Sequence, residues 1–250
     1  MRSDMQDFFD RVFGDLPRQA PGSRASTRRA YDAIPALPSG ATALDVGCGA
    51  GGQTRTLAEV HDGPVVAMDI MLPFLQRLPA SAAKDGSAIH PVCMSMDRMG
   101  FAEASFDLIW SEGALYSIGF DQAVSICRSL LKPGGYLAAT ELVWLTDDRP
   151  ESVVRFFETE YPAMQSRESV ADRLQEMGFT LLDSFALPDK DWWDDYYTPL
   201  SRRLNRLRGV FAEDEKAIEF LDAMLVEMDV RRRHPEAYGY VFYVLRSESQ

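Results

Sequence analysis

Long apolar runs are missing from this chain of 250 residues, and its N-terminus, Met1-Arg-Ser-Asp-Met-Gln-Asp-Phe-Phe9, has no signal-peptide core. The first absence excludes a membrane-spanning helix. The second makes the cytoplasm the expected compartment. Cysteine is scarce too. Cys48, Cys93 and Cys127 stand at no metal-ligand spacing, so no metal is expected and reduced, buried thiols are. Positive charge is in deficit, with 26 Lys and Arg against 38 Asp and Glu and a net charge of −12. Such a surface repels phosphate backbones, so no nucleic-acid partner is expected, while small neutral or cationic molecules are tolerated. Internal repeats and low-complexity tracts are absent. What remains, 46% apolar and 26% charged residues, can bury the core of a single domain spanning residues 1–250.

Met5, Phe8, Phe9, Val12 and Phe13 recur at helical spacing over residues 4–14. Pro17, Pro21 and Gly22 break the pattern, and Ser23 is placed to cap a second helix running to about Ala33. Residues 1–38 thus read as an N-terminal helical cap. Arg18, Arg24, Arg28 and Arg29 make it locally basic, and a solvated helix face is the preferred reading over a ligand site. Strands are expected at 43–46, 64–69, 89–94, 106–110 and 136–140, the last followed by Glu141. Helices are expected at 54–60, 72–78 and 120–131. This alternation argues for a parallel, doubly wound α/β sheet. A helix over 166–177 stopped by Gly178, a strand over 180–187 and a final strand over 238–245 complete the pattern. Residues 40–187 form the expected core, with 238–250 as last strand and tail. Residues 188–237 are too many for a simple connection. Helical periodicity at 201–210 and 214–233 makes them a helical insertion, read as a lid.

Gly47, Gly49, Gly51 and Gly52 follow the first strand directly. Glycines there let the backbone approach a ligand, with free N–H groups and the positive end of the next helix aimed at it. Such a turn fits any Rossmann-type nucleotide site, or helix–sheet packing with no ligand. Asp69, at the tip of the second strand, is placed to accept from both hydroxyls of a ribose; its structural alternative is a helix N-cap.

Taken in order, Asp45-x-Gly47-x-Gly49-x-Gly51, Asp69, Phe106-Asp-Leu-Ile and Leu131-Lys-Pro-Gly-Gly135 before a strand resemble class I S-adenosylmethionine (SAM) methyltransferases. The branch is the small-molecule one related to ubiquinone/menaquinone C-methyltransferases. The motif likeness covers about residues 40–141, and dehydrogenases lack its Lys-Pro-Gly-Gly turn. Arg18-Gln-Ala-Pro-Gly-Ser23, Trp110-Ser-Glu-Gly-Ala-Leu-Tyr-Ser-Ile-Gly-Phe120 and Tyr238-Gly-Tyr-Val-Phe-Tyr243 extend it to bacterial methyltransferases of unassigned substrate. The resemblance implies a Rossmann-like, seven-stranded, mostly parallel sheet with an antiparallel last strand. It implies SAM as cofactor and a small-molecule acceptor, and leaves a homodimer open. Gly47, Gly49 and Gly51 would line the methionine part of SAM, with Asp45 near its amino group. Asp69 would hold the ribose, and Ile70 would pack on adenine. The family often has Gly-Asp after the third strand; here Ser95, Met96 or Asp97 would meet the adenine. Gln53 and Ser111 complete the implied cofactor set.

Methyl transfer from a sulfonium is an in-line displacement that needs alignment, and needs a base only where the nucleophile holds its proton tightly. Glu112, Tyr116 and Glu141 are the catalytic candidates, being expected at strand ends facing the donor. For Glu112 the alternative is a loop anchor, for Glu141 an orienter or cap. His234 could swing over the site, but an exposed helix end among Arg231–Arg233 is preferred. Trp144, Trp192, Trp193, Tyr196 and Tyr197 are core aromatics, or the wall of an apolar or cationic acceptor pocket with Asp194 and Asp195 as its charge. No Asn/Asp-Pro-Pro-Tyr/Phe stretch is present, which argues against amino methylation of adenine or glutamine. Two rival classes remain. A SAM-binding protein without catalysis would bind cofactor and release no product; a nicotinamide-dependent oxidoreductase is opposed by the Lys-Pro-Gly-Gly turn.

Overall fold

The computed structural model describes residues 3–78 and 89–248. Short, branched and apolar segments form its parallel strands: β1 (Ala43–Val46), β2 (Val65–Asp69), β3 (Ile89–Cys93), β4 (Phe106–Ser111) and β5 (Leu131–Trp144). With β6 (Phe179–Ala186) and β7 (Tyr238–Ser247) they make one seven-stranded sheet in the order β3-β2-β1-β4-β5-β7-β6. β7 runs antiparallel to both its neighbours. All four residues of β1 are buried, as in a central strand covered on both faces. The strand order reverses between β1 and β4, and ligands bind open α/β sheets at such a switch point.

The helices are α1 (Ser3–Phe13), α2 (Arg24–Asp32), α3 (Gly52–Val60), α4 (Leu72–Leu75), α5 (Phe120–Leu130), α6 (Glu151–Glu160) and α7 (Arg167–Glu176). Between β6 and β7 come α8 (Lys190–Trp192), a π turn (Trp193–Tyr197), α9 (Thr198–Val210) and α10 (Glu215–Arg233). Ser23 caps α2 by accepting from the Ser26 N–H, and Ser166 and Asp214 cap α7 and α10 in the same way.

Three elements differ from expectation. The helix expected over 72–78 ends at Leu75. α6, unforeseen, exists because Val153 and Phe157 bury one face. β5 extends well past Thr140, since it pairs with β7 from Tyr136 through Trp144. The cap and the insertion meet through rings rather than through the sheet. Phe8 lies 5.3 Å from Phe211 and 5.4 Å from Phe220, and Phe9 lies 5.4 Å from Phe220. Arg203 of α9 adds an ion pair with Asp15 at 3.0 Å. No helix among the described residues is long and apolar enough to cross a membrane. The outermost residues of the 1–38 cap and the 238–250 tail lie outside the described residues.

Candidate active site

β1 delivers the chain to a turn in which Gly47 has φ +71° and Gly49 φ +56°. A Cβ on Gly47 would stand 2.3 Å from Ala114 Cβ, and one on Gly49 2.6 Å from Gln19 Oε1. Glycine is therefore required for space as well as for φ. The N–H groups of Gly47 and Cys48 both bond the Met68 carbonyl, at 2.8 and 2.9 Å. Asp69 then ties the turn to β2: Oδ2 accepts from the Gly49 N–H and Oδ1 from the Met71 N–H, both at 2.8 Å. Burial pushes the Asp69 carboxyl up, against these backbone hydrogen bonds.

This turn floors a cavity of about 490 Å³. Gly47, Gly49, Gln53, Asp69, Ile70, Ser95, Met96, Glu112 and Tyr116 line it. Asp45, Gly51, Asp97, Ser111 and Glu141 do not. Asp45 is fully buried beneath the turn and accepts from Thr54 Oγ1 at 2.6 Å and Gln53 Nε2 at 3.3 Å. Burial pushes its carboxyl up to about 7 despite those two bonds. It reaches the cavity only by orienting Gln53. The exposed Asp97 accepts from Ser95 Oγ, and Ser111 Oγ is spent on the Val46 carbonyl at 2.8 Å.

The cap supplies residues that sequence reasoning missed. Gln19 Oε1 accepts the Ala50 N–H at 2.8 Å while its Nε2 donates to the carbonyls of Phe13 and Leu16. Arg18 is a correction. Instead of standing on a solvated face it is 5% exposed and forms an ion pair with Glu112 Oε2. Glu112 Oε1 accepts from Thr27 Oγ1 at 2.7 Å and from Trp110 Nε1 at 2.9 Å. Both carboxylate oxygens are therefore committed, the geometry of an anchor rather than of a base. The flanking prolines and the Gln-Ala-Pro-Gly run were the only signal that this stretch is special. Arg24 and Arg28 do meet solvent, paired with Glu59, and Arg29 covers the Phe185 ring at 3.8 Å.

A second cavity, of about 420 Å³, adjoins the first, and Phe9, Gln19, Ala20, Met71, Phe74 and Tyr116 line both. Tyr116 thus stands at the junction. The walls beyond it are aromatic, with Trp192 and Tyr196 from the insertion. Trp144, Trp193, Tyr197 and the expected acids Asp194 and Asp195 lie outside it; the acids lining it are Glu160 and Glu227. Among the described residues His234 ends α10 away from both cavities.

Glu141 is a second correction. Because β5 does not stop at Thr140, Glu141 lies inside the strand, paired with Val241. Leu142 faces the second cavity, so the alternation of side chains turns Glu141 to the other face. There it lines a separate cavity of about 310 Å³. Its Oε1 accepts from the Tyr161 hydroxyl, and its buried Oε2 has no partner among the described residues. Burial pushes the carboxyl from an ordinary 4.5 up to about 8, opposed by the Tyr161 hydrogen bond. The folded chain therefore holds this proton more tightly than the unfolded chain. That contribution is full below about 4.5 and is lost as the pH rises through about 8. Unfolding free energy is expected to fall between about pH 4.5 and 8, Glu141 contributing up to about 1.4 kcal/mol per pH unit, and the thermal midpoint should fall with it. Glu141→Gln should flatten it in part, Asp45 supplying the rest. Superimposable wild-type and variant profiles would refute the assignment.

With this geometry in hand, the relatives can be placed. Residues 44–139 match the family described as a methyltransferase domain. The fold is that of Rossmann-like methyltransferases: a Geobacter sulfurreducens SAM-dependent methyltransferase solved with S-adenosyl-L-homocysteine superposes with a TM-score of 0.79. The two share 17% identity over 97% of this chain and 98% of that one. Residues 44–139 therefore carry a methyltransferase domain, set in a fold shared with Rossmann-like methyltransferases. In sequence, a 24-methylenesterol C-methyltransferase 2 of Oryza sativa subsp. japonica is 31% identical over 186 residues, 68% of this chain and 50% of that protein. A 2-methyl-6-phytyl-1,4-hydroquinone methyltransferase of Synechocystis is 31% identical over 161 residues, 59% of this chain and 49% of that one. The chain spans about half the length of the curated relatives it matches.

Proposed function

We propose that this protein transfers a methyl group from SAM to a small-molecule acceptor held in the second cavity. The observation that carries the reading is the junction at Tyr116, where a glycine-floored cavity adjoins an aromatic one. The first cavity suits the cofactor. Its floor is a cradle that a single Cβ would fill, and its volume falls within the range of small-ligand sites, about 300–1,000 Å³. When bound, SAM supplies an electrophilic methyl group on a sulfonium. Gly47 and Gly49 would carry its methionine part, Asp69 its ribose, and Ile70, Ser95 and Met96 its adenine. Gln53, oriented by the buried Asp45, would meet the amino group. The chain's own work is alignment and exclusion of water. Glu112 serves it as a positioning residue that fixes the cap through Arg18. The relatives named for sterol and hydroquinone methylation support a small acceptor with an apolar body. The unpaired state of Cys48, Cys93 and Cys127 supports a cytoplasmic location.

Asp69→Ala tests the cofactor site. Removing charged hydrogen bonds should weaken SAM and S-adenosylhomocysteine by about 1–3 kcal/mol, roughly ten- to hundredfold, in calorimetry. Circular dichroism controls for the Gly49 and Met71 bonds lost with the carboxylate. A wild-type protein that binds NADH and neither sulfur nucleotide would end this reading in favour of an oxidoreductase.

A further inference from the structure

The second cavity contains more than an apolar wall. Twelve of its lining residues are aromatic, and its two ionisable acids are Glu160 and Glu227. Among the described residues no lysine, arginine or histidine lines it. Arg231 lies over the Trp192 ring at 4.3 Å, but outside the cavity, bound to Asp189 and to the carbonyls of Pro235 and Tyr238. Arg18 reaches only the first cavity, and Glu112 neutralises it there.

Glu227 is placed by helix geometry. Phe220, Met224 and Glu227 lie at i, i+4 and i+7 on α10, one ridge that faces the cavity. The acid therefore interrupts an apolar stripe. Its Oε1 accepts from the Tyr197 hydroxyl at 2.5 Å. Burial chiefly, and the Glu227 charge as a smaller cause, raise the hydroxyls of Tyr116, Tyr196, Tyr238 and Tyr240, all of which line the cavity. Glu227 thus lines the cavity, and its charge reaches Tyr116 at the junction. Two further lining residues, Trp192 and Tyr238, are 2% and 1% exposed. Each has a buried polar atom, Nε1 and the hydroxyl, with no partner among the described residues. Buried polar groups are normally paired; the Tyr238 hydroxyl can accept from an ammonium, whereas the Trp192 N–H, a donor only, calls for an acceptor elsewhere on the ligand.

We infer that the second cavity binds the acceptor as an organic cation, an amine on an apolar body, with its nitrogen beside Glu227. Carboxylates ringed by aromatic faces attract ammonium groups, through charge and through the negative faces of the rings. The same two acids repel a carboxylate or phosphate, which discriminates against anionic acceptors. Burial raises the Glu227 carboxyl, against the Tyr197 hydrogen bond. That eases passage of an ammonium proton to a Glu227 oxygen, which leaves the carboxyl neutral and the nitrogen lone pair free. The inference rests on the first cavity being the donor site, so the test reads the two separately.

The probes are phenethylamine, phenethyl alcohol and phenylacetate, three compounds of similar size and different charge. Each is titrated by calorimetry into the full chain, with and without S-adenosylhomocysteine. The amine is expected to bind at least tenfold more tightly than the alcohol, and phenylacetate not at all. Glu227→Gln should bring the amine to the level of the alcohol and leave S-adenosylhomocysteine affinity within twofold. An alcohol or acid that binds as well as the amine overturns the inference. So does failure of all three to bind, or a Glu227→Gln variant that keeps the preference. If that variant does not fold, the wild-type ranking decides alone. Amine preference without S-adenosylhomocysteine binding would remove the donor-site reading and leave the cation site standing. The converse would remove only the cation site.

Discussion

Replacing Arg18 with methionine is expected to destabilise the fold by about 3–5 kcal/mol, because it leaves one partner of a buried ion pair without its counter-charge. Arg18 and Glu112 are 5% and 4% exposed. Thr27 and Trp110 still donate to Glu112 Oε1, but two neutral donors do not replace a guanidinium. Glu112→Gln should cost a similar amount, by stranding Arg18. The double variant should recover most of the loss, since both charges are then gone and the remaining groups are neutral. Urea unfolding of the four proteins measures the coupling as a double-mutant cycle. Arg18 precedes Gln19, which holds the Ala50 N–H of the glycine turn. S-adenosylhomocysteine affinity should therefore fall together with stability in both single variants. This separates anchor from base. A Glu112→Gln protein of normal stability and normal cofactor affinity, yet with single-turnover rate reduced about a hundredfold, would restore the catalytic role.

Gly47→Ala should weaken S-adenosylhomocysteine at least about a hundredfold while the chain stays folded, an effect above that of Asp69→Ala. Two costs combine. A left-handed φ of +71° costs an L-residue about 1–2 kcal/mol. The new Cβ would also meet Ala114 Cβ at 2.3 Å, and a methyl on a short loop has no rotamer by which to withdraw. Ala114 and its neighbours Gly113, Tyr116, Ser117 and Ile118 line the first cavity, so relief of the clash moves its wall. Gly209→Ala is the control. It lies within α9, has open space around its would-be Cβ, and should leave binding unchanged and stability equal or higher. Equal affinities for Gly47→Ala and wild type would mean that the ligand does not lie on this turn.

Features that depend on neighbours in the chain were legible without a structure. The glycines after β1 follow from local backbone geometry, and the apolar runs placed β1 to β4 within a residue or two. Ser23 could be read as a cap because a cap bonds three residues ahead. The tip of a strand is likewise a local position, so Asp69 could be placed there from the sequence, though its bonds to the Gly49 and Met71 N–H groups could not. Pairings across the chain were not legible. Arg18 and Glu112 are 94 residues apart, and nothing in a basic stretch says which of its arginines leaves solvent. Burial decides that, and burial belongs to the packed cap. Glu141 was misplaced because the end of β5 is set by its pairing with β7, not by its own residues. Glu227 is an acid one step from an apolar stripe, visible in the helical pattern, yet only the docking of α10 turns that step into a cavity wall. The glycine turn that floors the first cavity is thus written in the order of the residues. The acids lining the second cavity came from tertiary structure alone, which brings the cap, β5, α6 and the insertion around one space.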